Sequence, residues 1–568
     1  MKTMAAALLA LFSGCSASPP IPAARFANAP IVTIVDDRRD VPKQPEELEF
    51  LPDLYLFDSA LERVVTRPLE LPRIQRALGV NAMDDAPDST WFTNRNYVKA
   101  LTPEEVRLGP NTHTPEQHLP WTISSTKVGG TTPGFIVKDS AGVKYQCKFD
   151  YAASPTELET GTHIIVNRLM WAFGYNVADD QIVYLHREDF VIGKGAKHKD
   201  SLGKTLGPLQ QSQVDEILGH ARIGPDGSIR VLASRWIEGN TIGGHASEGV
   251  RADDPNDRIP HEKRRDLRGM RPFDAWTDSV DVTEGQFVDS WMEDPAIPKR
   301  HYVKHYAIDF GKSLGAMGQI SFDWWRAHAY TVDVPAMVKG LFTLGIGDRP
   351  WQKRADREQL KGVSSLFDVE SLEPEGWRPD IQGYLALRDA DRFDEFWGTK
   401  ILASFTREQL MGAVKAAKLS DPRSEQYLVD TLVGRQRKMA AYWYARVNPL
   451  DRFAAEPGGT TTTVPRICFD DLAIKIGFVT PAQTQYALQA YDYAGTPLGA
   501  PFVVAASSEA AAAAGRTCVM AAAMPADHDG YAMYRVDTRR TEYAGTTYVH
   551  VARDPETRAA RVIGIWRL

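Results

Sequence analysis

The apolar residues of this chain change their spacing along its length, and that change bounds the fold more tightly than any other feature. Between residues 119 and 150 they recur at every second position. A glycine-rich SSTKVGGTTPGF is followed by FIVKDSAGVKYQCKFD, which reads as a hairpin turning at Ser140-Ala141-Gly142. From 154 to 173 the repeat lengthens to that of a helix. Ile164, Ile165, Leu169, Met170 and Phe173 form its stripe, and Gly174 supplies the stop. Ser154-Pro155-Thr156-Glu157 predicts the helix start, with an N-cap serine, a proline at the first helical position and Glu157 as the acid of a capping box. Strand-like runs return at 177–192 and 227–239, and a helix is expected over 263–277. After a short hairpin (WMED…HYVKHYAIDFG) the chain reads as mostly helical to about residue 447. FAAEPGGTTTTVP then reads as a linker, and the alternating segments YALQAYDYAG, YAMYRVDT, TYVHVARD and RVIGIWRL predict a small β-sandwich. The expected class is α+β, with more than one domain.

Composition narrows the function. Of 568 residues, 43% are hydrophobic and 24% charged, which excludes disordered, collagen-like and coiled-coil chains. Acidic residues outnumber basic ones, 73 to 66, and this balance excludes a general nucleic-acid binder, which needs a basic surface. The opening MKTMAAALLALFSGC places a lysine before a short apolar run ending in Ser13-Gly14-Cys15. Residues 1–15 read as a signal peptide, too short for a membrane-spanning helix. The small-small-Cys ending resembles the lipobox of bacterial lipoproteins, with Phe12 where an aliphatic residue is usual. The resemblance implies acylation of Cys15 and an exported protein held to the cell envelope by lipid, facing the periplasm or on the outer membrane. Residues 16–30 read as a tether and 31–118 as an N-terminal extension. Cys468 and Cys518 share a C-terminal segment, and an oxidising compartment would allow them to pair. No clustered Cys/His spacing predicts a structural zinc.

Four stretches carry chemistry when taken in order. Gly129, Gly130 and Gly134 lie in the first loop, and Lys148 sits in YQCKF on the strand after it. Glu157 and Glu159 open the helix. Asp281 begins DVTEGQ, five residues before Gln286, and Asp309-Phe310-Gly311 follows a β-type run. This order resembles the protein-kinase-like superfamily, most of all its atypical HipA-like, CotH-like and secreted members. The resemblance implies a two-lobed kinase-like core at 119–447, with an N-lobe to about 240 and a C-lobe from about 241. A linker at 448–463 and a β-rich domain at 464–568 would follow.

It also implies roles. Lys148 would hold the phosphates of a nucleoside triphosphate, oriented by Glu157 or Glu159, while backbone N–H groups at Gly129, Gly130 and Gly134 approach the same phosphates. Asp309 and Gln286 would ligate Mg²⁺ or Mn²⁺, and Asp281 would accept or orient the hydroxyl of a protein, lipid or glycan acceptor. Three departures stand out: the glycine spacing is loose and contains Pro133, Gln286 replaces an asparagine, and residues 291–306 are inserted before Asp309. Nucleoside triphosphate is scarce outside the cytoplasm. The alternative is therefore a pseudokinase, a binding or scaffolding module of the envelope without turnover. Arg264, Arg265 and Arg268 read as a charged helix start after an exposed acidic loop, or as groups that meet an anionic substrate or pin the Asp281 loop. His245, His261 and His301 lack the spacing of metal ligands.

Overall fold

Mixed α and β structure makes up the chain, in a computed structural model that describes residues 21–49, 52–59, 66, 75–129, 132, 134–200, 203–316, 326–346, 360–458, 464–506 and 515–568. Cys15 and Gly130 lie outside the described residues. Two units are distinguished: residues 32–81 with 85–447, and residues 82–84 with 448–568 and the segment ending at Ile31.

The larger unit is built on a seven-stranded sheet of β1 (Trp121–Thr126), β2 (Gly134–Lys138), β3 (Lys144–Phe149), β4 (Asp180–Leu185), β5 (Phe190–Lys199), β6 (Thr205–Pro208) and β7 (Ile229–Arg235). The order is β4-β7-β3-β2-β1-β5-β6, and only the β1–β5 pair is parallel. Two helices accompany it, α1 (Leu158–Phe173) and α2 (Gln211–His220). Alternation decides what each face carries. Trp121, Phe135, Tyr145, Cys147 and Phe149 join Val214 and Leu218 of α2 in one apolar core. Lys148 turns the other way. It stands in register with Leu232 of β7 and, beyond it, Ile182 of β4, and those two belong to the core around α1.

Helix α1 is buried around most of its circumference, polar residues Thr160, His163 and Asn167 included. It begins at Leu158, four residues later than the sequence predicts. Glu157 takes a left-handed φ of 64° and makes no capping bond; its carboxylate accepts the Ser420 N–H at 2.9 Å. A tight turn, closed by the Leu158 N–H on the Pro155 carbonyl, stands where the capping box was expected.

Beyond β7 the unit continues through α3 (Met270–Thr277) and an antiparallel sheet of β8 (Asn240–Thr241), β9 (Phe287–Glu293) and β10 (His301–Ala307), ordered β10-β9-β8. Residues 291–306, read as an insertion, are largely the two arms of the β9–β10 hairpin. Helices α4 (Arg392–Leu402), α5 (Arg407–Lys415) and α6 (Pro422–Tyr444) complete the core, where Trp276, Trp397 and Leu432 are fully buried. The arginine cluster is internal, which corrects both the exposed-loop and the anionic-substrate readings. Arg264 pairs with Asp266 at 2.8 Å, and Arg265 and Arg268 reach Asp394 of α4 at 2.8 and 3.5 Å, all of them buried.

In the smaller unit β11 (Leu450–Pro457), β12 (Pro465–Asp471) and β15 (Arg516–Met520) form one sheet. The other contains β13 (Gln485–Tyr491), β14 (Pro497–Ala505), β16 (Ala532–Arg539), β17 (Gly545–Arg553) and β18 (Ala560–Arg567), in the order β14-β13-β16-β17-β18. Leu450, Phe469, Tyr486, Val536 and Val549 place both sheets around one apolar core. Cys468 and Cys518 stand opposite each other on β12 and β15 and form a disulfide. Within the linker expected over 448–463, Leu450–Pro457 is instead strand β11. The tether expected over 16–30 is corrected from Ile21 onward. Ile21 and Phe26 pack with Tyr531, Tyr548 and Ile563 on the second face of the five-stranded sheet. Gly564 leaves room for this contact, because a Cβ there would come within 2.4 Å of the Phe26 ring.

Candidate functional site

Strand β3 ends beside the start of α1, and β10 runs directly into Ile308 and Asp309. These connections bring Lys148 and Asp309, 161 residues apart in sequence, into an ion pair of 2.5 Å. Lys148 is 6% exposed, whereas the Asp309 side chain keeps 42% of its surface open. Burial opposes the Lys148 charge, but the Asp309 carboxylate outweighs it, and with help from Glu159 and Asp180 the ammonium is held above its ordinary range. Desolvation likewise opposes ionisation of Asp309. Lys148 overcomes it and holds the carboxyl well below the usual carboxylate range. Asp309 has a left-handed φ of 59°, a strained conformation for a non-glycine residue of the kind that collects at functional sites.

Glu159, the second residue of α1, interacts electrostatically with both members of this pair. Thr132, in the loop between β1 and β2, donates to its carboxylate at 2.5 Å, and burial pushes its pKa up. A Cβ built on Gly311 would lie 3.4 Å from the Glu159 side chain, so the turn after Asp309 rests against α1 at this point. Glu157 does not take part: its carboxylate is committed to Ser420. Of the two acids considered from sequence, only Glu159 enters the site.

Asp281 and Gln286 line a small cavity of about 30 Å³ together with Ile308, Asp309 and Lys312. Lys312 pairs with Asp281 at 2.9 Å. Gln286 is tied to the same turn through its carbonyl, which accepts the Ile308 N–H at 2.9 Å. On the other side of Asp309 opens a cleft of about 300 Å³, lined by Lys148, His163, Asp180, Trp236, Val288 and Ile308. Asp309 therefore borders both spaces. The oxygen donors of Asp309 and Gln286 suit a hard divalent cation.

The glycines separate by role. Gly129 has a φ of +76° with nothing packed around it, as a loop that approaches a ligand through its backbone requires. Gly134 opens β2, and a Cβ there would lie 1.9 Å from the Cys147 carbonyl oxygen, so close strand pairing is its reason for being glycine.

Three residues of the site were missed by the sequence reading. Lys127 donates to the Gly129 carbonyl, and burial together with the neighbouring Lys148 pushes its ammonium pKa down to about 8. His163 lies between Asp180 and Asp309, and Asp180 opens β4 behind it. The available signal was helical spacing, since His163 follows Glu159 by four residues and shares its face of α1. A second buried polar cluster lies elsewhere in the unit. His305 and His245 both face Asp289, at 2.7 and 3.4 Å, and Arg251 reaches the second oxygen of Asp289 at 3.2 Å.

No protein-family model, curated protein or solved structure matches the chain.

Proposed function

We propose that the chain is an exported, lipid-anchored phosphotransferase of the protein-kinase-like kind that uses a nucleoside triphosphate and a divalent cation. The Lys148–Asp309 ion pair carries this reading. It joins β3, the second strand after a glycine-bearing loop, to an Asp-Phe-Gly turn after a hairpin, with Glu159 of the intervening helix near both. The cleft next to the pair, about 300 Å³, is at the small end of ligand sites.

Phosphoryl transfer asks a protein mainly to position groups and to neutralise charge. Lys148, released from Asp309, would place its ammonium on the phosphate oxygens, and Glu159 would receive that ammonium from the other side. Lys127 would add a second cation from the loop. Asp309 and Gln286 would hold the metal ion, which supplies charge neutralisation at the phosphates. Asp281 would take the proton of the acceptor hydroxyl as its oxygen bonds to phosphorus and the nucleoside diphosphate leaves. Lys312 would keep Asp281 oriented.

One observation favours the alternative, a binding module without turnover: Lys148 already neutralises the Asp309 oxygen that a cation would need. A thermal-shift titration with ATP and Mg²⁺ or Mn²⁺ separates the two. A ligand present at a hundred times its Kd stabilises by about 2.7 kcal/mol, a readily measured rise in Tm. The phosphotransferase reading expects a rise that needs the metal, together with turnover. Binding that ignores metal, with no transfer, would favour the scaffolding module. No shift with either would remove the nucleotide reading.

A further inference from the structure

His163 is 3% exposed, and the hydrogen bonds of its ring fix its chemistry. Nε2 lies 2.7 Å from Asp180 Oδ2, so it carries the proton and donates. Asp180 is held in turn: Asn167 donates to the same oxygen at 3.0 Å, and Arg168 donates to the Asp180 backbone carbonyl at 2.6 Å. Phe310 packs edge-on against the imidazole, with ring centroids 5.5 Å apart, and sets its plane. The consequence falls on Nδ1. It has no hydrogen-bond partner, and it lies 3.9 Å from Asp309 Oδ1. A buried polar atom without a partner costs free energy unless something completes it.

We propose that His163 Nδ1 is a ligand of the divalent cation that Asp309 binds, with Asp180 as the carboxylate that orients the imidazole. The proposal rests on the reading of Asp309 as a metal ligand. A carboxylate that accepts the N–H of a histidine's far ring nitrogen is the arrangement that metal-bound imidazoles show almost everywhere. Two ligand atoms 3.9 Å apart can share one ion at ordinary bond lengths near 2.1 Å, at an angle that a five-coordinate ion accepts. The choice of ion follows from the donor. Mg²⁺ demands oxygen ligands and keeps its water, whereas imidazole nitrogen suits first-row transition ions, so the site selects Mn²⁺ or Co²⁺ over Mg²⁺.

The test uses the full-length protein with Mn²⁺ alone, followed by electron paramagnetic resonance and its ¹⁴N echo modulation. The expected result is Asp309-dependent Mn²⁺ binding with ¹⁴N modulation that disappears in His163→Gln. That variant should also bind Mn²⁺ at least tenfold more weakly while Mg²⁺ affinity changes less. Asp180→Asn should weaken Mn²⁺ binding by about 10- to 100-fold, as loss of an orienting partner does. Should His163→Gln fail to fold, the wild-type spectrum decides alone. Mn²⁺ bound in an Asp309-dependent way without ¹⁴N modulation would overturn the role of His163 and leave the phosphotransferase reading standing, as would modulation that survives His163→Gln. Mn²⁺ binding indifferent to Asp309→Ala would overturn both.

Discussion

Each charged residue of the site has its own expected signature. Asp309→Ala should abolish the metal-dependent part of nucleotide binding, read as the loss of the Tm rise, because the cation is the largest local charge. Asp281→Ala should leave that rise intact while transfer falls by about 10²- to 10⁴-fold, the usual span for a proton-transferring group. A parallel loss of binding in both variants would contradict the division of roles. Gln286→Asn should hold or raise turnover, since the shorter amide draws its oxygen back by one methylene. Protons enter stability at other residues. Burial pushes His245 down to about 4, and burial with Arg25 pushes His550 down to about 3. In the unfolded chain both titrate near 6.5. Between the two values the unfolded state binds more protons. The stability they contribute is therefore complete above pH 6.5 and falls with pH, by up to about 1.4 kcal/mol per pH unit and histidine. Urea midpoints at pH 7.5 and 5 should show this fall, and His550→Gln should reduce it for the smaller unit; level midpoints would contradict it. Lys148, Glu159 and Asp309 could be found in the sequence because each sits at a fixed offset from a turn or a strand end. His163, Asp180 and Lys127 could not. A polar residue on a buried helix face, or a lysine in a loop, gives no local sign of what folds against it.

Among the elements, the strands were the most legible, because period-two alternation follows directly from having one face in a core. Boundaries were less so. Pro155 fits the first turn of a helix and a tight turn equally well, and contact between Glu157 and Ser420, 263 residues away, decides for the turn. Strand β11 was hidden in a linker-like run because it lies at a sheet edge, where Pro457 is tolerated and few side chains are fully buried. The segment from Ile21 reads as a tether by its proline and alanine, yet two apolar anchors suffice to seat it. Two elements give sharp stability predictions. The disulfide joining β12 to β15 closes a 50-residue separation, so Cys518→Ala or reduction should lower the stability of the smaller unit by about 2–4 kcal/mol in a denaturant titration. An unchanged midpoint would mean that this bond constrains little. Asp394→Ala on α4 leaves Arg265 and Arg268 buried without their shared carboxylate, and should cost the larger unit about 3–5 kcal/mol. An exposed charge cluster would show almost none of that loss.

For the molecule as a whole, the proposed lipid anchor is the reading most open to direct test. With Cys15 acylated, Cys15→Ser should move the protein from detergent-extracted membrane to soluble fractions, or leave the precursor uncleaved. Unchanged fractionation, with no acyl label on the wild type, would remove the anchor. A different consequence follows from the seating of residues 21–31 on β17 and β18. Asn28 donates to the Arg553 carbonyl and accepts from Arg561, contacts that join positions 525 and 533 residues apart. The first residues of the smaller unit to leave the ribosome thus wait for nearly the last. At about 5–20 residues per second, Ile21 and Phe26 remain uncovered for roughly half a minute to two minutes. The larger unit has its whole sequence in hand well before the smaller one can close. Translation that stops short of β18 would yield a chain whose leading segment has no place to dock, and protease cleavage near Arg25 would mark every such unfinished copy.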